Sequence, residues 1–512
     1  MTIKSTFAGV LLSTLSIGTL AFADDTPPLV QSRPAEVNID YLSLNMPNGA
    51  PDMGLLGLHY DVNLLPINDF YSGLGVYSAV RGNQGGVFIL GIDNYYRPQL
   101  VGPLHLNAGL FVGAGGSANS QPFGGGLMLL PSVGLGYDFK HAMVNLNYSY
   151  ARFPSGDIAS SQVMLGVTLP LDFTYFDAED ARFVPLHAFD LHFPNGAQEE
   201  HWYLSPLVQV YHVKTITNPG LDDNLTLVGF EGGRYFAQHF YAAVRTLAVA
   251  HGDANGYMNI MTGVGYDLPL FGSPIAWTND VMIGSGGGGS IGTGGGLLSE
   301  FDTGFSWTND SAFTPKLMAG YLTSTNGQFK TWVGTLGFNY NLDALAAGHG
   351  APLSSTDVYA IHEWRVNVDS QTLFNPARTS GSGDLSFLNL DIDQFLSPVY
   401  YLNYRTTFPY AGSNPSGGST VGGMIGIGAE PFVGYRLQPS LTLLVGAIGG
   451  GSIDAGGGLV VEPEVGLHYA ITSAFGLNTS VGQMKSFQGH LNSTVFNAGI
   501  SLSFGEAQKT GA

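Results

Sequence analysis

The sequence predicts an all-β fold, a transmembrane antiparallel β-barrel built from three internal repeats of about eight strands each. Three observations predict it: a glycine motif that recurs at a long period, strands that alternate apolar residues with small uncharged ones, and turns that are short on one side and longer on the other. Gly-Gly-Gly-Leu occurs at Gly124–Leu127, Gly294–Leu297 and Gly456–Leu459, with separations of 170 and 162 residues. Matched glycines surround each copy: Gly113, Gly284 and Gly446 before it, then Gly134, Gly304 and Gly466. Further on come Gly156, Gly327 and Gly489, then Gly166, Gly337 and Gly499. Tyr71, Tyr241 and Tyr401 fall at matching places upstream.

The elements follow in chain order. Residues 1–23 read as a secretory signal peptide, with a cationic start, an apolar run from Phe7 to Leu20 and a small-residue site at Ala21-Phe22-Ala23. Cleavage after Ala23 leaves Asp24 as the new N-terminus. Repeat 1 covers 24–173, with strands expected near 37–46, 54–66, 70–81, 86–97, 104–115, 125–139, 142–152 and 162–173. A linker at 174–200 carries Asp177, Glu179, Asp180, Glu199 and Glu200. Repeat 2 covers 201–342, a second linker 343–357, repeat 3 358–504 and a C-terminal tail 505–512.

Each repeat closes on a period-two segment. Phe496, Ala498, Ile500, Leu502 and Phe504 alternate with Asn497, Gly499, Ser501 and Ser503. Trp332, Leu336, Phe338, Tyr340 and Leu342 do the same in repeat 2, and Val163 to Phe173 in repeat 1. Such alternation is a strand with one apolar face, and about nine to eleven tilted residues span a hydrocarbon core. A soluble sandwich would show charges on its other face. Here that face is Gly, Ser, Asn and Thr, so the apolar face is the one that meets lipid.

Composition agrees. Only 11% of residues are charged, none is cysteine, and glycine accounts for 73 of 512. With no disulfide framework, an exported chain takes its stability from burial or from a membrane. The acidic balance, 38 against 18, disfavours nucleic acid and anionic lipid as electrostatic partners. Beyond the signal segment no run is long enough for a spanning helix.

Leu104–Phe173, with its Gly-rich hairpin, a strand ending Gly-Tyr-Asp-Phe and then Asn-Leu-Asn-Tyr-Ser-Tyr, resembles the second half of small bacterial outer-membrane β-barrel proteins. The resemblance is to that broad, porin-like superfamily and to no specific family within it. It implies a Gram-negative outer membrane, with contacts to outer-membrane lipid and lipopolysaccharide. It also implies recognition by the barrel-assembly machinery through a C-terminal strand ending in Phe504, although eight further residues follow. Two closures fit the repeats: a single barrel of about 24 strands, which is the first expectation, or three tandem eight-stranded barrels.

The strand after each glycine triplet carries the chemistry the sequence shows. Glu462 and Glu464 fall on its inward face in repeat 3, Glu300 and Asp302 at the same places in repeat 2. Repeat 1 has Leu130 and Ser132 there, with Asp138 further along. These acids form an expected lumen cluster, and rings of carboxylates favour cations. The competing reading is an interior network tied to Arg or Lys, which 18 basic residues would not complete.

His187, His192, His201 and His212 gather near the first linker without zinc-site spacing, so no metal and no cofactor is expected. No enzyme is expected: Ser149 and Ser501 face inward without an adjacent histidine. Gly284–Gly296 lacks the Lys and helix of a phosphate loop. The function expected is a passive channel for small hydrophilic solutes or cations. The alternatives are a structural or surface-interaction barrel without an open pore and, more remotely, a lipid-modifying outer-membrane enzyme.

Overall fold

The computed structural model describes residues 28–65, 67–116, 122–187, 190–191, 193, 196–213, 224–254, 256–270, 272–307, 313–347, 357–412 and 420–510. The expected signal peptide, its cleavage site and His192 lie outside these residues.

Barrel 1 comprises β1 (Gln31–Leu44), β2 (Met53–Val62), β3 (Phe70–Arg81), β4 (Phe88–Tyr96), β5 (Gln99–Val101), β6 (Leu104–Gly116), β7 (Leu127–Asp138), β8 (Met143–Arg152) and β9 (Ala159–Tyr175). Neighbours pair antiparallel, β4 passes directly to β6, and β9 returns to β1 with Leu169 opposite Val37. The short β5 only edges β6. The linker strand β10 (Arg182–His187) follows.

Barrel 2 comprises β11 (Ala197–Val213), β12 (Asn224–Ala237), β13 (Phe240–His251), β14 (Met258–Pro269), β15 (Ile275–Gly287), β16 (Leu297–Trp307), β17 (Phe313–Ser324) and β18 (Lys330–Ala347), closed by β11 against β18. Barrel 3 comprises β19 (Val358–Leu373), β20 (Leu385–Phe395), β21 (Tyr400–Gly412), β22 (Val421–Ala429), β23 (Leu437–Gly449), β24 (Leu459–Ala470), β25 (Phe475–Ser486) and β26 (Asn492–Lys509), closed by β19 against β26.

The expected single barrel of about 24 strands therefore does not form. The pairing that would have opened one repeat onto the next, β9 with β11, is replaced by β9 with β1. Eight strands suffice to close, and pairing between repeats is confined to the turn end, where β10 pairs with β19 and Ala344 of β18 meets Gln508 of β26. Several expected boundaries also move. β11 begins inside the first linker, β18 runs past 342, and β26 continues through the expected tail to Lys509, paired with Tyr359. Phe504 is thus not the end of the last strand.

Each wall obeys the alternation. In β8, Asn145, Asn147 and Ser149 are buried inside, while Val144, Leu146 and Tyr148 stand outside. The outer faces are mostly apolar, with Leu317 66% and Val465 63% exposed. Exposed aromatics gather toward the end that carries the short turns and linkers: Tyr137, Trp277, Trp307, Phe313, Tyr400 and Tyr469. Longer, glycine-rich loops occupy the opposite end.

The three barrels touch in a closed cycle, through the glycine triplets. A Cβ on Gly296 of barrel 2 would lie 2.5 Å from the Ala79 carbonyl of barrel 1. On Gly458 of barrel 3 it would lie 2.6 Å from that of Val249 in barrel 2, and on Gly126 of barrel 1 2.3 Å from that of Pro409 in barrel 3. The first and third glycines of each triplet share the same left-handed turn, with φ of 57° and 100°, 64° and 93°, and 62° and 101°. Only glycine adopts that backbone freely and admits so close an approach. Phe88 and Leu90 of barrel 1, Met258 of barrel 2, and Phe408 and Val421 of barrel 3 pack together where the barrels meet at the loop end. At the turn end Val30, Phe176, Leu191, Leu345, Tyr359 and Ala507 form a second shared cluster.

Candidate functional site: the barrel interiors

Barrel 2 is organised around one buried arginine. Arg245 Nε donates to Glu231 at 2.7 Å, Nη1 to Glu300 at 2.9 Å and to Asp302 at 2.8 Å, and Nη2 to Asp280 at 2.9 Å. Lys316 Nζ adds a 2.5 Å contact to the other oxygen of Glu231, which also accepts from the Tyr203 hydroxyl at 2.8 Å. Tyr241 donates to Asp280, and Gln209 to Glu300 at 2.9 Å. Two cations thus face four carboxylates: Arg245 and Lys316 against Glu231, Asp280, Glu300 and Asp302.

Barrel 3 repeats the plan. Arg405 Nε donates to Asp391 at 2.6 Å, and Nη1 to Glu462 at 3.0 Å and Glu464 at 2.6 Å. Gln371 binds Glu462 at 2.8 Å, the place Gln209 holds in barrel 2. A second arginine, Arg365, binds Glu430 toward the turn end at 2.6 Å and 3.1 Å.

Barrel 1 departs. Gly75 stands four residues after Tyr71, as Arg245 and Arg405 stand four after Tyr241 and Tyr401. His59 fills the vacated space, its Nδ1 2.1 Å from where a Gly75 Cβ would be. It lies 3.7 Å from Asp40 and 3.3 Å from Asp93. Arg97 pairs with Glu36 at 2.5 Å and donates to Asn107 at 2.8 Å.

Glycines on the inner faces make room for these rings. A Cβ on Gly265 would meet the Tyr241 ring at 2.1 Å, and one on Gly428 the Tyr401 ring at 2.1 Å. The matched tyrosines therefore cover a backbone that has no side chain. At the corresponding register barrel 1 has Tyr95, on which Tyr71 stacks.

Of the expected acidic cluster, Glu300 and Asp302 meet on Arg245, and Glu462 and Glu464 on Arg405. Asp138 joins neither. It sits at the turn end of β7, accepting the Lys140 backbone N–H at 2.7 Å. One guanidinium has five donors and serves several carboxylates at once, yet Glu300 Oε2, Asp302 Oδ1, Asp391 Oδ2 and Glu462 Oε2 accept no hydrogen bond among the described residues. The arginines escaped notice because β13 and β21 lie far in sequence from Glu300, Asp302, Glu462 and Glu464. The matched tyrosines four residues before them were the available signal.

Ser501 has a histidine beside it after all: His468 Nε2 lies 3.0 Å from its Oγ. Gly476 leaves the space for both. His468 Nδ1 has no hydrogen-bond partner, so the pair lacks the third group that orients a catalytic imidazole. Ser149 instead accepts from Gln162 at 2.9 Å. His201 binds Asp343 and His212 binds Asn224, at opposite ends of β11. Among the described residues no group of His, Asp and Glu has metal-ligating geometry. The Gly284–Gly296 segment belongs to the barrel 1 joint, where Gly294 accepts the Gly85 N–H at 2.9 Å.

A cavity of about 50 Å³ beside Arg405 and Glu464 shares Arg365, Glu430 and His468 with a wider vestibule of about 510 Å³ at the turn end of barrel 3. Barrel 2 has a vestibule of about 620 Å³ at the same end, lined by Glu199, His201 and Asp343 among others.

Fold and interior define a class: closed antiparallel barrels with apolar exteriors and polar, ion-paired interiors, the reverse of a water-soluble barrel. No family model and no curated protein matches the sequence. Among solved structures the chain is similar to Pseudomonas aeruginosa OpdQ, at 8% identity over 93% of this chain and 98% of that one, with a TM-score of 0.21. It is similar to OccK2 (OpdF) of the same organism, solved in complex with glucuronate, at 9% identity over 93% and 98%, with a TM-score of 0.20. A mutant of the P. aeruginosa ferric enterobactin receptor PfeA aligns at 10% identity over 92% and 80%, with a TM-score of 0.27. Superposition at this level carries no argument for an activity.

Proposed function

We propose that this chain is an outer-membrane protein of a Gram-negative bacterium, a ring of three narrow barrels that spans the bilayer with its lumens held shut. The observation that carries this reading is the pair of arginine-centred networks, which tie separated strands of barrels 2 and 3 together across the interior, inside mostly apolar exteriors. Breaking such a buried pair strands a charge, so a solute does not part it cheaply. The role of the molecule then lies in its faces, loops and vestibules.

A second reading, a passive channel for small hydrophilic solutes or cations, is favoured by barrel 3. There the turn-end vestibule leads into the small cavity beside Arg405, and that cluster would be the gate. Planar-bilayer recording tests both. Steady silence, with conductance appearing only on Arg405→Ser, supports the shut ring. Stable conductance in the unaltered protein, with a reversal potential that moves on Glu464→Gln, supports the channel.

A further inference from the structure

The seam between barrels 2 and 3 is not filled along its length. A crevice of about 270 Å³ runs between their outer faces, beside the shared contact of β13 with β23. Val208, Phe230, Leu336 and Phe338 form one wall, and Gly423 and Ile425 part of the other. Among the described residues no charged side chain lines it, and its hydroxyls are those of Thr246 and Thr406. Val208, Leu336, Phe338 and Ile425 remain exposed, so the crevice is open rather than sealed.

The shape has a local cause. Gly229, Gly422, Gly423 and Gly446 place bare backbone on its walls. A Cβ on Gly423 would meet nothing nearer than the Arg405 carbonyl at 4.0 Å. A bare-backbone groove between apolar walls suits an unbranched chain without polar groups. Left empty, its lining would forgo the dispersion contacts a close-packed interior makes.

Position selects the source. Met258, Gly422 and Leu459, which also line the crevice, stand where strands leave the longer loops. In an outer-membrane barrel those loops face outward. We infer that the crevice between barrels 2 and 3 binds one fatty-acyl chain of outer-leaflet lipopolysaccharide, as a structural lipid continuous with the inter-barrel seam. The inference rests on the outer-membrane reading above.

The test purifies the full chain from density-separated outer membranes in detergent, washes it free of loosely held lipid, and measures retained fatty acids by mass spectrometry. The expected result is retention of the hydroxylated fatty acids that mark lipopolysaccharide. Gly423→Phe should reduce retention about tenfold, the factor that losing two buried methylenes produces. Val208→Trp fills the crevice from the opposite wall and should act alike, with heat-modifiable gel mobility reporting that each variant folds. Retention of phospholipid chains only, of no lipid, or of equal lipid in well-folded variants overturns the inference while the membrane reading stands. Absence of the protein from the outer-membrane fraction overturns both.

Discussion

At the scale of single residues, Arg245 and Arg405 hold the interiors together. Each binds carboxylates from several strands, so removing one strands several charges rather than one. Arg245→Met should destabilise the folded protein by about 3–5 kcal/mol, the usual cost of leaving a buried charge without its partner. Urea unfolding in lipid vesicles, followed by tryptophan fluorescence, measures it. A loss under about 1 kcal/mol would mean that the carboxylates are already relieved by water. The inward direction of Glu300, Asp302, Glu462 and Glu464 was legible from alternation alone, because a strand has period two. Their partners were not. Pairing across a barrel depends on which strands face each other over the lumen, and local periodicity carries no such information. His59 shows the same limit, since only the structure reveals that it stands in for an arginine missing at Gly75.

At the scale of elements, the strands were largely legible and their ends were not. β3 and β8 fall where alternation placed them. β9, β18 and β26 overrun because their outer ends pair or pack at the turn-end joint, beyond the apolar stretch that alternation detects. Phe176 exchanges backbone hydrogen bonds with Gly505 there, at 2.8 Å and 2.7 Å. Lys509 binds Glu199 at 2.9 Å. Burial alone would lower the Lys509 ammonium, but Glu199 and Asp357 outweigh it and raise its pKa. The triplets were legible as glycine and opaque as joints. A Cβ on Gly295 would lie 2.9 Å from the Arg81 Cα in the next barrel, against backbone that cannot turn aside. Gly295→Leu should therefore cost about 1–3 kcal/mol through overpacking. Loosening at the barrel 1–barrel 2 joint, with barrel closure kept, is the expected pattern. Limited proteolysis at 176–196 against heat-modifiable mobility distinguishes the two. Unchanged cleavage would show that the joint tolerates the side chain.

At the scale of the molecule, the repeat predicted three equal parts but pointed first to one wide ring, where the structure has three narrow ones. Hydrophobic period is the same for both closures, because a strand shows lipid the same face in either. What decides is the complementarity of the first and last strands of each repeat, which is a matter of register. The cycle of barrels has a direct check in a chain without cysteine. Barrels 1 and 3 are not consecutive, yet a Cβ on Gly125 would come 3.0 Å from the Ala411 Cα. The double variant Gly125→Cys with Ala411→Cys should form a disulfide on mild oxidation and shift on a non-reducing gel. Failure to cross-link, with both thiols reactive, would place barrels 1 and 3 apart.

The joints are head-to-tail: a triplet on one barrel meets a strand on the next, three times over, until the circle closes. Separate subunits using such a contact would have to find one another in the bilayer, and their assembly would depend steeply on copy number. Here the linkers fix the local concentration of each barrel about its neighbours. Ring formation becomes a first-order event, as prompt for a single molecule in a membrane as for thousands. It also frees the three interiors from identity, so that His59 in barrel 1 could replace an arginine without any change in the circle that surrounds it.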